Sequence, residues 1–250
     1  MQYYVYAHTE IGNTRENNED TLVVGENLII NGSESTSCDA PFITAVCDGV
    51  GGENGGEIAS FFVAKRLSEC NKSEVSELKD EIIQIHRDLV DYGNENYEYF
   101  GLQTTMCCLK VCENGKLYCL NTGDSRLYLY KNKKARQISK DHSYVMELYE
   151  KGKIKKSELK NHPQKNIITS SVGNPYKLPK VDVCVVSECF CEGCVVVLCS
   201  DGVSDFVGER EIEAAMELEV SFDEKIHALS QLALERGSTD NVSVIGVKLN

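Results

Sequence analysis

The chain has 250 residues, enough for one large domain or two small ones, and 42% of them are hydrophobic, which suffices for a full core. Its formal net charge of −13 argues against a nucleic-acid partner, because phosphate backbones attract proteins with an excess of Lys and Arg. Its longest apolar runs have only the length of a strand, and its N-terminus lacks the features of a signal peptide. We therefore expect a cytoplasmic protein without a membrane segment, and we expect it to be a monomer.

Strand-like segments occupy much of the chain and are separated by turn signals. Asn-Gly and Gly-Asp pairs within 113–115 and 121–125 are typical of hairpins between β-rich runs. The predicted strands cover residues 3–8, 21–31, 42–47, 104–112, 116–121, 126–130, 181–186, 194–199 and 242–249.

Helices are predicted at 57–69, at 73–99 and, with a break near Ser221, at 209–236. The buried face of the second helix is indicated by apolar residues at helical spacing, namely Leu78, Ile82, Ile85 and Leu89. No linker or repeat divides the sequence, so we interpret residues 1–250 as a single domain. Strands in blocks and helices in blocks favour an α+β fold, with antiparallel sheets flanked by helices.

Cysteines are frequent, with 12 in the chain. Several lie inside apolar runs, Cys47 and Cys199 among them, where they behave as small buried hydrophobes. Without a signal peptide we expect their thiols to be reduced. The cluster at 189–194 could bind zinc, but no second CxxC pair completes a four-ligand site, so plain thiols are favoured.

Two buried-type strands end on Asp-Gly pairs, Asp48-Gly49 after 43–47 and Asp201-Gly202 after 195–199. A single Asp-Gly is usually only a turn, but two of them at strand ends are less easily dismissed. Because antiparallel pairing places the end of one strand beside the start of its neighbour, acidic residues at strand starts can meet them. The acids that can collect at one sheet edge in this way are Glu19, Asp20, Asp48, Asp201 and Asp240, with Asp124 reaching them from a hairpin tip.

Crowded carboxylates cannot all stay ionised unless cations neutralise them, and all-oxygen ligands suit magnesium, manganese or calcium better than zinc or copper. The glycine-rich loop at 48–57 could let backbone carbonyls approach such a metal, or could simply be a flexible cap of the next helix. Arg15, four residues before Glu19, could bind a phosphate with two hydrogen bonds, although a lone Arg is most often a surface residue.

Seven short blocks of the sequence lie at 12–20, 47–60, 101–105, 121–126, 141–143, 200–205 and 239–241. In their residues and order they resemble the PPM-type, or type 2C, metal-dependent serine/threonine protein phosphatases, particularly the compact bacterial members. The resemblance spans nearly the whole chain. It implies two antiparallel sheets packed as a sandwich, helices outside them, and metals in a cleft at one end.

The resemblance also implies roles for individual residues. Asp48 would bridge two Mn²⁺ or Mg²⁺ ions, with the Gly49 carbonyl, Asp201 and Asp240 as further ligands. Glu19 and Asp20 would hold metal-bound waters, and Arg15 would bind the substrate phosphate, so that Arg15, Asp48, Asp201 and Asp240 form the catalytic set. Asp124, Asp201 and Asp205 match a third ion site of bacterial relatives.

Residues 143–173, here called the flap segment, resemble the flap subdomain beside the bacterial cleft. Two departures stand out. Val50 takes the place of a histidine that many eukaryotic relatives use to protonate the leaving group, so the general acid is unassigned. The sequence at 170–173 replaces a flap ending that usually contains Arg, which leaves substrate preference open.

We therefore predict metal-dependent hydrolysis of phosphoserine and phosphothreonine in proteins by a metal-bridging water, reversing a bacterial serine/threonine kinase. Phosphorylated proteins and that kinase are the expected partners. The alternatives are a non-catalytic regulator that binds phosphoproteins and a metal phosphoesterase for small esters. Cys47 is not expected to be a nucleophile, because the His-Cys-x5-Arg phosphate loop is absent. His142 and His162 could donate protons, but loop-stabilising hydrogen bonds are the commoner fate of such histidines.

Overall fold

The computed structural model of the protein describes residues 1–50, 55–188 and 190–250. The strands are β1 (Gln2–Glu10), β2 (Asp20–Val24), β3 (Asn27–Ile29), β4 (Gly32–Asp39), β5 (Phe42–Val50), β6 (Gln103–Thr104), β7 (Met106–Val111), β8 (Leu117–Thr122), β9 (Arg126–Lys131), β10 (Lys134–Gln137), β11 (Asp182–Ser187), β12 (Val195–Cys199) and β13 (Val242–Leu249). The α-helices are α1 (Gly56–Ser68), α2 (Val75–Glu95), α3 (Tyr144–Glu150), α4 (Asp201–Ser204), α5 (Glu209–Met216) and α6 (Phe222–Glu235).

The strands form two sheets in which neighbouring strands run antiparallel. One sheet has the order β10-β9-β12-β13-β1-β4, and the other has the order β11-β8-β7-β5-β2-β3, with β6 pairing to β5. Helices α1 and α2 pack on the second sheet, whereas α5 and α6 pack on the first. The predicted α+β sandwich of two antiparallel sheets between helices is therefore confirmed.

Side-chain alternation along the strands divides the core into an inner layer and two outer layers. The inner layer lies between the sheets and includes Val46 of β5 and Leu198 of β12. Their neighbours in sequence point the other way, so Cys47 packs in the layer beneath α1 and α2, and Cys199 packs in the layer beneath α5 and α6. Burial raises the pKa of the Cys47 thiol, which agrees with its interpretation as a core residue.

Several predicted boundaries were right, and the exceptions have physical causes. The helix expected at 209–236 does break near Ser221, whose hydroxyl accepts the Glu224 N–H and so starts α6. The strand expected at 21–31 is instead the hairpin of β2 and β3, turning at Gly25 with a φ of 60°. Strand β4 was not predicted, because it is an edge strand of small polar residues that lacks a buried face.

The described cysteines are all free thiols. Cys191 and Cys194 lie with their Sγ atoms 3.5 Å apart, and Cys189, the third member of the suggested zinc cluster, lies outside the described residues. Among the residues that the structure describes, no helix combines the length and the apolar character needed to cross a membrane.

Candidate metal centre and active site

The aspartates predicted to meet at one sheet edge, Asp20, Asp48, Asp124, Asp201 and Asp240, are here called the acidic edge. It begins where β2 and β5 meet. Asp20, the first residue of β2, pairs directly with Asp48 near the end of β5. Thr105 holds the Asp48 backbone from the other side, because its Oγ1 accepts the Asp48 N–H at 3.2 Å and its N–H donates to the Asp48 carbonyl at 2.8 Å. The predicted meeting of a strand end with a strand start is thus present, and the backbone of Asp48 is fixed on both sides.

Asp20 and Asp48 both lie where the surroundings disfavour the ionised form of a carboxyl group. Burial raises the pKa of Asp20 to about 7, although hydrogen bonds from Ser243 and Ser200 oppose the rise. Asp20 is 2% exposed, and its Oδ2 makes no hydrogen bond with any described residue. Burial, followed by repulsion from Asp20 and Asp201, also holds the pKa of Asp48 well above its usual range. The site therefore contains more negative charge than the protein itself neutralises.

Asp201 and Asp240 come from the other sheet. Asp201 follows β12 as the first residue of α4, and Asp240 precedes β13, the neighbour of β12. Burial and the Asp240 and Asp205 carboxylates raise the pKa of Asp201 to about 6, while Lys165 and Arg126 act in the opposite direction. The two acids therefore lie within electrostatic reach of each other at the edge of the first sheet.

Gly202 allows the start of α4 to pack closely against the start of β13. A Cβ atom at position 202 would collide with the carbonyl oxygen of Asn241 and lie 3.3 Å from the Asp240 Cβ. The start of α4 and the start of β13 can therefore touch only because position 202 has no side chain.

The hairpin tip between β8 and β9 brings in Asp124. Burial and the Asp201 charge hold the pKa of Asp124 well above its usual range. The next residues anchor the tip, because Arg126 Nη2 lies 2.7 Å from Asp141 Oδ2 and Arg126 Nη1 donates to the Ser204 carbonyl at 3.2 Å. Sequence reasoning gave Arg126 and Asp141 no role, since nothing local shows that Arg126 pairs with Asp141 and also ties the hairpin to α4 through the Ser204 carbonyl.

Arg15 and Glu19 lie on the segment leading into β2. Arg15 Nη2 donates to Asp240 Oδ2 at 2.8 Å, and its side chain is 45% exposed. Burial raises the pKa of Glu19, which Arg15 opposes. The Glu19 carboxyl lies against Gly56 at the start of α1, where a Cβ would be 2.8 Å from the Glu19 Cδ.

Gly49 has no room for a side chain, since a Cβ there would collide with the Gly56 carbonyl and lie 2.8 Å from the Glu19 carbonyl oxygen. Asp205, at the end of α4, forms an ion pair with Lys165 of the flap segment. The predicted glycine loop at 48–57 falls partly on residues 51–54, which lie outside the described residues.

Asn241 is a positioning residue that sequence reasoning missed. It is 3% exposed, and its Oδ1 accepts the Glu19 N–H at 2.9 Å. Its Nδ2 donates to the carbonyls of Ile11 and Asn17 at 3.0 and 2.8 Å. One buried amide therefore fixes the segment that carries Arg15 and Glu19. Its signal in the sequence was a polar residue directly before an apolar strand.

Replacing Asn241 with Ala should loosen this segment. The variant leaves three partly buried backbone groups without their partner, so we expect a loss of about 2 kcal/mol in the free energy of unfolding. Denaturant unfolding checks the loss, with Asn94→Ala on the exposed face of α2 as control. An Asn241→Ala protein as stable as the control would contradict the anchoring role.

Asp20, Asp48, Asp124, Asp201 and Asp240 thus come from five separate parts of the chain and act electrostatically on one another. Within 1–50, 55–188 and 190–250, no group of three or more His, Cys, Asp or Glu side chains is arranged so that it could hold a metal ion as it stands. The carboxylates are close enough to repel one another.

Comparison with known proteins places this arrangement in a family. Residues 4–165 match the family model described as protein phosphatase 2C. The chain is 32% identical to serine/threonine phosphatase stp of Listeria welshimeri over 251 residues, which cover 97% of this chain and 94% of that protein.

Solved structures of other proteins support the same family. The Mycobacterium tuberculosis serine/threonine phosphatase PstP/Ppp superposes with a TM-score of 0.83 at 27% identity, with 100% of each chain covered. A catalytic domain of PstP in complex with two manganese ions superposes with a TM-score of 0.78 at 25% identity, again with 100% of each chain covered. With its sandwich fold and its acidic edge between the sheets, the chain belongs to the protein phosphatase 2C family.

Proposed function

We propose that the acidic edge is the catalytic centre of a metal-dependent phosphatase that hydrolyses phosphoserine and phosphothreonine in proteins. The observation that carries the proposal is the mutual repulsion of aspartates contributed by separate elements of both sheets. A protein that concentrates uncompensated carboxylates in this way lowers its own stability unless cations bind there. Membership of the protein phosphatase 2C family supplies the reaction class.

The donor chemistry fits hard divalent cations. The side chains of the cluster offer only oxygen, and the unpartnered Asp20 Oδ2 is a buried acceptor that a cation environment would satisfy. We assign Asp48, Asp201, Asp240 and the Gly49 carbonyl to two Mn²⁺ or Mg²⁺ ions. Glu19 and Asp20 would orient water around those ions.

The bound cations and the side chains of the protein would have different roles in the reaction. Bound divalent cations lower the pKa of water and offset charge on a transferring phosphoryl group. Arg15 would bind the phosphoryl oxygens of the substrate through its fork of N–H donors. Its 45% exposure leaves the guanidinium reachable from solvent while Asp240 holds it in place.

His142 supports the structure and is not free to donate a proton to the leaving group. It is buried, its Nε2 lies 3.0 Å from Asp182 Oδ2, and its Nδ1 accepts the Gly123 N–H at 3.2 Å. Burial lowers the pKa of His142. The ring therefore braces the hairpin that carries Asp124, in line with the structural role that the sequence favoured.

A third cation would be held by Asp124, Asp201 and Asp205. Lys165 now pairs with Asp205 and lowers the pKa of Asp201, so its ammonium supplies part of the positive charge that an ion would bring. Cation binding at this position would therefore compete with the Lys165 ammonium.

Replacing Lys165 with Gln should tighten the weakest Mn²⁺ site by about 3- to 10-fold, because one competing charge is removed. Calorimetric titration with Mn²⁺ measures the change, and Lys151→Gln serves as control, since Lys151 pairs with Glu147 instead. If both variants bind Mn²⁺ like the wild type, the competition does not exist.

Phosphorylated proteins are the substrates, and we infer that a serine/threonine kinase of the same cell produces them. The monomeric state and the cytoplasmic location stay predictions.

Rates on matched substrates test the proposal. With Mn²⁺, the protein should release phosphate from a phosphothreonine peptide faster than from small esters such as phosphoserine alone, and a chelator should stop both reactions. A higher rate on small esters would favour the phosphoesterase alternative. Phosphopeptide binding without turnover would favour the non-catalytic regulator.

A further inference from the structure

We infer that Lys156 and Lys160 of the flap segment select substrates with acidic residues next to the phosphorylated residue. The inference rests on the proposed function and adds to it the chemistry of the peptide. Its basis is a cavity of about 220 Å³ that joins the candidate metal centre to the flap segment. The lining includes three carboxylates of the candidate centre and three flap lysines, namely Asp124, Asp201, Asp205, Lys156, Lys160 and Lys165.

The charge of this region is opposite to that of the rest of the molecule. Residues 151–165 carry six lysines and one glutamate, a net charge of +5, within a chain of net charge −13. An acidic peptide approaching such a protein is repelled over most of the surface and attracted at the flap segment. Charge complementarity therefore singles out the flap segment for an acidic partner.

The lysines of the segment differ in what they contact. Lys165 pairs with Asp205, and Lys151 lies 3.1 Å from Glu147. Lys156 and Lys160 are exposed and form no ion pair with any described residue, although both line the cavity. Their charges are thus available to an incoming group.

The place of Lys156 and Lys160 in the cavity lining determines which groups of a substrate they can contact. Asp201, which we assign to the catalytic ions, also lines the cavity with Lys156 and Lys160, so a phosphorylated side chain held at those ions lies next to this cavity. The residues flanking it lie a few ångströms further along an extended peptide, since each residue spans about 3.3 Å. Asp or Glu at those flanking positions can form charge-assisted contacts with the two ammonium groups.

Peptide competition tests the inference. Two phosphothreonine peptides of equal length are compared, one flanked by Asp and Glu and one flanked by Asn and Gln. The wild type with Mn²⁺ should show a kcat/KM about 3- to 10-fold higher on the acidic peptide, as expected for a few exposed charge pairs. Raising the salt from about 50 mM to about 500 mM should remove most of this preference, because the screening length shortens.

Matched double variants locate the effect. Lys156→Gln with Lys160→Gln should bring the ratio of the two kcat/KM values close to one. Lys151→Gln with Lys153→Gln removes the same charge from the same segment but spares the cavity lining, so the ratio should stay near that of the wild type. All four lysines are exposed, so both variants should fold, and thermal unfolding is the measurement that checks this.

Two results would overturn the inference: a wild-type protein without preference, or an equal loss of preference in both double variants. Failure of the proposed function looks different, because the neutral peptide would then not be hydrolysed by any of the proteins.

Discussion

Replacing Asp48 with Asn should lower kcat on a phosphothreonine peptide on the order of 1,000-fold, which corresponds to about 4 kcal/mol of transition-state stabilisation. When no cation is bound, the same variant should be more stable than the wild type, although it is less active. Asp48 is repelled by Asp20, Asp201, Asp124 and Asp240, and Asn carries no charge into that group. We expect the cation-free variant to melt about 2–4 °C higher than the wild type.

Thermal unfolding with a chelator and with Mn²⁺ separates the two effects. The wild type should gain stability from Mn²⁺, and Asp48→Asn should gain much less, because it lacks a carboxylate that we propose would bind the ions. Asp80→Asn, on the exposed face of α2, is the control and should behave like the wild type in every condition. If the variant melts lower than the wild type in chelator, the favourable contacts of the Asp48 carboxylate outweigh its repulsion by the other aspartates, and the account of the site is contradicted.

Gly202→Ala should disrupt the site without altering any predicted ligand. Its new Cβ would collide with the Asn241 carbonyl oxygen, so α4 and β13 must separate and carry Asp201 away from Asp240. Overpacking of this kind costs about 3 kcal/mol of folding free energy. Phosphopeptide turnover should fall about 100-fold, because small displacements of catalytic groups are costly.

The matched control for this change is Gly208→Ala, at the glycine that directly precedes the short helix α5. At position 208 a Cβ would meet only Glu211 Oε2, at an ordinary 3.5 Å. That variant should keep most of its turnover and stability, as measured by urea unfolding and phosphate release. Equal effects at both positions would mean that the contact between α4 and β13 does not position the aspartates.

The sequence was informative wherever local pattern and antiparallel geometry act together. Asp48 ends an apolar strand and Asp20 starts another, and the register does pair the two. The break at Ser221 was readable because a serine followed three residues later by Glu224 is a helix start. The flap segment begins with a short helix, α3.

Long-range contacts account for most of what was missed. The Arg126–Asp141 ion pair, the buried amide of Asn241 and the Lys165–Asp205 pair each join residues far apart in the chain. Strand β4 was missed for a different reason, because its alternation of polar residues has no apolar face to reveal it. The amino-acid pattern thus predicts which acids can meet, whereas the residues that hold them in place emerge only from the fold.

Equilibrium dialysis against Mn²⁺ tests the central claim most directly, by counting the ions bound per chain in the wild type and in Asp48→Asn. We predict at least two ions bound by the wild type and a loss of the tight sites in the variant, parallel to the loss of phosphopeptide turnover. Wild-type protein that hydrolyses the phosphopeptide with no Mn²⁺ or Mg²⁺ bound, or an Asp48→Asn variant that binds ions like the wild type, would contradict the account.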